Sequence, residues 1–179
     1  MIRYRRLYES ENSDINLYDV VNYAGFDWYV IGIDSNVRSF GGGAIDKVVT
    51  LLAKNADFGI SPFAKDSNNY DKSYAMGYLG TTVYSKLKQN GAKPLLTKLD
   101  GVRLPGRIWL LSVEEAEKVP KSILSFPGWW WLRSPGDEKD STAIVKRDGF
   151  IDVNGQYVDA GTGKIRPVIR VNLENLLND

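Results

Sequence analysis

The chain has no cysteine and no histidine among its 179 residues. Without cysteine there is no disulfide, no thiolate nucleophile and no thiolate metal site. Without histidine, the usual general base near neutral pH and the commonest zinc ligand are both missing. Any catalysis falls to carboxylates, Lys, Tyr and Ser/Thr, and any metal binding to hard, oxygen-seeking ions. The expectation is a protein that is not an enzyme and carries no cofactor. Long apolar runs are also lacking. The longest are broken by charges such as Lys54 and Arg107, far short of the roughly 20 residues a bilayer span needs. The basic start Arg3, Arg5, Arg6 is followed by Glu9, Glu11 and Asp14 instead of an apolar stretch, so it does not read as a secretory signal. A cytoplasmic protein without a membrane partner is expected, with a phage particle as the other setting. An excess of charge of either sign is lacking too. The net charge is +1, so no long-range field steers the whole molecule toward nucleic acid. The arginine cluster near the start reads as a solvated edge strand.

What is present is aromatic and glycine-rich. Phe, Trp and Tyr make up 12% of the chain and glycine occupies 17 positions, a mix that suits short strands and tight turns better than a helix bundle. Residues 1–18 read as an extension or edge strand and residues 19–179 as one domain. Val20, Val21 and Tyr23, the turn Ala24-Gly25 and the run 26–33 read as a hairpin. The Gly-rich segment 39–44 lacks a following Gly-Lys-Ser/Thr and reads as a loop, not a phosphate cradle. Residues 47–54 are continuous in apolarity, which fits helix or strand. A buried strand paired back on residues 29–33 is the preferred reading. Residues 56–77 read as a long loop, and 81–89 as a short helix stopped by Asn90-Gly91 and Pro94. Residues 107–111 read as a strand. Ser112 with Glu115 forms a capping box opening a helix over 113–118 that Pro120 ends. The last third reads as a meander of strands 143–146, 150–153, 156–159 and 164–171, with turns at Arg147-Asp148-Gly149, Asn154-Gly155 and Gly161-Thr162-Gly163. Residues 173–177 read as a terminal helical turn.

One segment stands apart: Trp129-Trp130-Trp131-Leu132-Arg133-Ser134-Pro135-Gly136. It is followed by Ala143 and Val145, by Asp148-Gly149, and by Ile165-Arg166-Pro167-Val168. Together with the runs 26–31 and 109–117, this order resembles an uncharacterised bacterial and phage domain family. Its members carry a WWLRSPG segment, an A-x-V strand, a DG turn and a closing VRPA strand. That family is similar to the C-type-lectin-like scaffold, shared by formylglycine-generating-type domains and by the variable ligand-binding proteins of diversity-generating retroelements. The resemblance implies an α+β fold: twisted antiparallel sheets with two short helices and long loops, whose carboxy-terminal strands display a binding face. It implies a structural signature of Trp130, Arg133, Pro135, Gly149, Arg166 and Pro167. The lectin calcium tripeptides, an Asn-rich variable cluster and the cysteines of formylglycine-generating enzymes are all absent. Those activities are therefore not implied.

Side chains alternate along an extended segment, so three consecutive tryptophans cannot share a face. If Trp130 points inward, Trp129 and Trp131 point away, and one of them can serve as an exposed aromatic anchor. Arg133 and Arg166 suit a structural role, their guanidinium forks satisfying loop carbonyls or a carboxylate. Asp137, Glu138, Lys139 and Asp140 form a charged loop. Its spacing does not match the twelve-residue calcium loop. With Trp129 and the outward meander positions Lys146, Arg147, Phe150, Asp152, Gln156, Tyr157 and Asp159, these residues are the candidate ligand contacts. Aromatics among mixed charges suit protein recognition more than a deep small-molecule pocket. A non-catalytic, macromolecule-binding module with a protein partner is the expectation. One alternative is a phage or mobile-element effector that inhibits a host defence nuclease of the anti-CRISPR type, touching nucleic acid only through a protein complex. The other is a surface or particle module that binds polysaccharide. A carboxylate hydrolase ranks below all of these.

Overall fold

Ala24 and Gly25 both take positive φ, 54° and 80°, the two-residue turn whose twist matches paired strands. It joins β1 (Val20–Tyr23) to β2 (Phe26–Arg38) in the register Val20↔Tyr29 to Tyr23↔Phe26. The computed structural model describes residues 15–38, 44–55, 59–64, 82 and 108–177. β3 (Ala44–Ala53) runs back along β2, pairing Tyr29 with Leu52 and Ile33 with Val49, so the ambiguous apolar run is a buried strand. β8 (Val168–Asn172) pairs with β3, and β4 (Ile108–Trp109) pairs with β8. The result is a five-stranded antiparallel sheet, ordered β1-β2-β3-β8-β4. A second antiparallel sheet is ordered β5 (Trp130–Pro135), β6 (Ser141–Val145), β7 (Ile151–Tyr157).

The helices among the described residues are short. α1 (Val113–Ala116) starts at the capping box read from the sequence: the Ser112 hydroxyl accepts from the Glu115 N–H, and the Glu115 carboxylate accepts from the Ser112 N–H. It ends two residues before the expected boundary. Pro120 then opens a further helix, α2 (Lys121–Leu124), which the sequence reading did not anticipate. α3 (Leu173–Leu177) is the terminal helical turn. No helix of the described residues is long and apolar enough to cross a membrane. The expected arginine-rich edge at the start, the Gly-rich loop over 39–43 and the stop at Asn90-Gly91 lie outside the described residues. So do most of the 56–77 loop and, apart from the helical Thr82, the 81–89 helix.

The three tryptophans explain how two sheets share one interior. Trp130 and Trp131 are adjacent, point to opposite faces of the small sheet, and are both fully buried. Trp131 joins Trp28, Phe63, Val158 and Ile169 in the larger apolar cluster. Trp130 joins Leu52, Leu124, Leu132, Val145 and Val168 in the second. Each indole N–H has a partner: Trp131 donates to the Ser61 carbonyl at 2.8 Å and Trp130 to the Leu124 carbonyl at 3.1 Å. β6 lies between the two clusters, and all five of its residues are buried.

Two parts of the expected meander are corrected. The closing ribbon does not extend the small sheet. Lys164 makes a parallel bridge to Trp130 and an antiparallel one to Ile60, and the chain then crosses to the large sheet, where β8 begins at Val168. Its Arg-Pro pair occupies the crossing. Asn154-Gly155 is not a hairpin either, because β7 continues through it as one strand.

Arg166 sits at that crossing with no exposed surface. Its Nε donates to the Ala53 carbonyl at 2.7 Å and its Nη1 to the Leu124 carbonyl at 3.1 Å. Its guanidinium carbon lies 4.7 Å from the Phe126 ring centre and 5.0 Å from that of Trp130. No carboxylate pairs with it among the described residues, and its Nη2 has no hydrogen-bond partner there. Burial pulls this guanidinium down from its ordinary value to about 9, with Tyr29 opposing, so it stays a cation at neutral pH. Arg166→Ala would remove two charge-assisted hydrogen bonds and two ring contacts. A loss of about 3 kcal/mol or more is expected, read as a lower urea midpoint. Arg166→Lys should recover only part of it, because an ammonium cannot span both carbonyls in one plane.

Candidate binding surface

The β6–β7 turn is clamped from three sides. The Gly149 N–H donates to the Lys146 carbonyl at 2.9 Å, and the Phe150 N–H donates to Asp148 Oδ1 at 3.1 Å. The Arg147 carbonyl accepts from the Phe126 N–H at 3.2 Å and from Ser125 Oγ at 3.0 Å. Gly149 takes φ 84° and packs so closely on the Lys121 carbonyl that a Cβ has no room. The turn is thereby fixed against α2.

This rigid turn carries Phe150, which is 53% exposed. Lys146 Nζ stands 5.4 Å from its ring centre and Lys121 Nζ 6.0 Å. Each lysine also meets a carboxylate: Lys146 pairs with Asp152 at 2.8 Å and Lys121 with Asp148 at 3.5 Å. The Phe150 N–H is the main influence holding the Asp148 carboxyl below its usual value, aided by Lys121. For Asp152 the Lys146 hydrogen bond leads, with the N–H groups of Gly155 and Asn154 adding to it.

Asp152 also explains why Asn154-Gly155 fails as a hairpin. Its Oδ1 accepts from the Asn154 N–H at 3.2 Å and the Gly155 N–H at 3.4 Å, which folds those residues back locally. Thr142 pairs with Gln156 and Ile144 with Asp152, so three residues of β7 oppose Ala143 alone. The positive φ of Gly155 serves a bulge, and its α-carbon lies too close to the Thr142 carbonyl for any side chain.

The charged loop 136–141 is tied to the same bulge. Asp137 N–H donates to the Asn154 carbonyl at 3.2 Å, and Glu138 N–H to Ser141 Oγ at 2.9 Å. The Val158 N–H donates to the Asp140 carbonyl at 2.9 Å. Asp137, Glu138 and Lys139 are exposed and Asp140 is half-buried. No group of three or more carboxylates among the described residues is arranged to hold a metal ion. Beside the loop, Ser112, Val113, Arg133, Ser134, Asp137 and Val153 line an open cleft of about 520 Å³. Arg133 reaches across to Glu115 at 3.0 Å, and the Ser134 hydroxyl accepts from the Val113 N–H at 2.9 Å.

The structure divides the sequence-predicted contacts into two groups. Lys146, Arg147, Phe150 and Asp152 gather at the β6–β7 turn. Asp137, Glu138, Lys139 and Asp140 gather with Gln156, Tyr157 and Asp159 at the other end of β7, a strand of seven residues. Full extension would separate those ends by roughly 20 Å. Register divides them further. Lys146, Phe150, Asp152 and Gln156 share a face of the sheet with Ile144, whereas Tyr157 pairs with Ser141 on the opposite face. Trp129 is corrected as an exposed anchor: it is half-buried, packed edge-on against Trp131 with ring centres 4.7 Å apart. Among the signature residues, Trp130, Gly149, Arg166 and Pro167 are buried, Arg133 is half-buried, and Pro135 is exposed at the end of β5.

Sequence reasoning missed Lys121, Phe126, Val153 and Lys164. Lys164 Nζ lies 5.6 Å from the Phe126 ring centre, next to the buried Arg166. No local pattern announces such pairings, because each joins segments far apart in the chain. Comparison of the chain with protein-family models, with curated proteins and with solved structures finds no match.

The Asp152 clasp should titrate. Its carboxyl lies below 3.8 when folded, so its contribution is complete above 3.8 and is lost as the pH falls through the lower folded value. NMR amide shifts of Asn154 and Gly155 should therefore move with a midpoint below 3.8. In Asp152→Ala that titration should disappear.

Proposed function

We propose that the chain is a non-catalytic protein-binding module that acts through β7 and the turns and loop that flank it. The observation that carries this is a set of exposed apolar side chains on or beside β7, an edge strand among the described residues: Phe150, Val153 and Tyr157, each about half exposed. Solitary exposed apolar residues need no explanation, but three spaced along β7 and the turn before it, with Tyr157 on the opposite face from Phe150, offer a partner apolar contacts on both faces of the strand. The support beneath them is rigid, with the turn clamped to α2 and the bulge pinned by Asp152. Such pre-organisation lowers the entropy cost of binding.

The reading extends to architecture and setting. We assign the chain a C-type-lectin-like build and a place in the cytoplasm. Two antiparallel sheets with short helices, and a tryptophan signature at their junction, support the first. The second is an expectation that fractionation of cells making the tagged chain would check. A non-catalytic role is supported by the use of Asp148, Asp152 and Glu115 in ion pairs and caps, which leaves them engaged structurally.

The test compares capture of a cellular partner by the chain and by Phe150→Ala/Tyr157→Ala. Both side chains are about half exposed and neither belongs to a buried cluster, so the double variant should fold. Loss of two aromatic anchors should cost about 2 kcal/mol or more, roughly thirty-fold in affinity. Undiminished capture of the same partner by the folded double variant would refute the proposal.

A further inference from the structure

The turn end of β7 continues into a band in which cations and aromatic rings alternate. Lys164 stands over Phe126, Arg166 lies against the same ring, and the Phe126 N–H donates to the Arg147 carbonyl. Next to it, Lys146 and Lys121 flank Phe150. Among the described residues, the carboxylates paired within this band are Asp148 and Asp152, each already engaged by one lysine. Arg147 is exposed at the tip of the turn, and its guanidinium has no carboxylate partner among the described residues. The far end of β7 carries the opposite sign, with Asp137, Glu138, Asp140 and Asp159 around Lys139. The binding strand is thus electrically polar along its length, although the whole chain is almost neutral.

We infer that the Arg147–Phe150 turn docks an acidic segment of a protein partner, with Arg147 taking a carboxylate and Phe150 an adjoining apolar side chain. This rests on the protein-binding reading above and names the chemistry of the partner at one end of that surface. Charge complementarity argues for it: Arg166 is buried, and the accessible groups of the band that have no carboxylate partner among the described residues, Arg147 and Lys164, are cationic, while a planar guanidinium on a fixed backbone suits bidentate pairing with a carboxylate. A nucleic-acid strand fits less well. Its phosphates would pass two carboxylates, and the ammonium groups near the Phe150 ring compete for the space a stacked base needs. The turn does not depend on the Arg147 side chain, because only its carbonyl is held.

The probe is a synthetic peptide of alternating glutamate and leucine, titrated into isotope-labelled protein. Glutamine and lysine counterparts and an oligothymidylate of matched charge are run beside it. The acidic peptide should shift the amides of residues 146–150 and of Lys121. Arg147→Glu should weaken it about tenfold, whereas Lys139→Glu, at the far end, should leave it unchanged. Equal binding at the turn by the glutamine peptide, the lysine peptide or the oligonucleotide overturns the inference. So does an Arg147→Glu protein, folded by circular dichroism, that binds the acidic peptide like the wild type. The two proposals fail separately. A cellular partner lost in Phe150→Ala/Tyr157→Ala but indifferent to Arg147→Glu retains the binding surface and removes the acidic docking. An acidic peptide that obeys Arg147 retains the docking chemistry even if the partner ignores the aromatic double variant.

Discussion

A buried guanidinium holds the two sheets in one body. Arg166 occupies the crossing between them. One nitrogen is on the last residue of β3, another is on the end of α2, and the Trp130 and Phe126 rings lie beside it. Removing a charge from water is costly, and carbonyl dipoles with ring faces return only part of that cost. The geometry must therefore be kept tight. The Leu124 carbonyl accepts from both Arg166 and the Trp130 indole, so helix end, tryptophan and cation are located by a common atom.

The effect reaches the surface in few steps. The Leu124 carbonyl fixes the end of α2. The residues just after it, Ser125 and Phe126, donate to the Arg147 carbonyl, and Gly149 lies against the start of the same helix. The turn that presents Phe150 thus takes its position from the interior through a continuous set of hydrogen bonds and close contacts. On the other face, Trp131 does comparable work by reaching Ser61, and Gly163 lies so near Trp129 and Trp131 that a side chain there has no space.

Much of the fold was legible in local chemistry. Ala24-Gly25 announces its hairpin through a glycine set between two strand-like runs, and Ser112 with Glu115 announces a helix start through the spacing of a capping box. Asn154-Gly155 has the same local signal and a different outcome. Positive φ serves a turn or a bulge equally well, and the choice rests on the pairing of Thr142 and Ile144 across the ladder and on Asp152 behind it. The exposed residues of the candidate surface were legible one by one, but not as groups. Which of them meet depends on strand register and on lysines from α2 and the crossing segment. The Trp129 reading failed because alternation was applied with one buried face in mind, whereas this sheet buries both.

The β7 bulge has a bearing on how the molecule behaves when crowded. Among the described residues β7 is an outer strand, and one with half-exposed Phe, Val and Tyr on or beside it is a natural template on which other chains could add themselves, ending in fibrils. Two surplus residues break the regular spacing of its amides and carbonyls, so an incoming strand finds no straight row to zip onto. Strand addition through the main chain is thereby discouraged while the side chains stay exposed. The strand can carry greasy side chains at high concentration without inviting indiscriminate polymerisation.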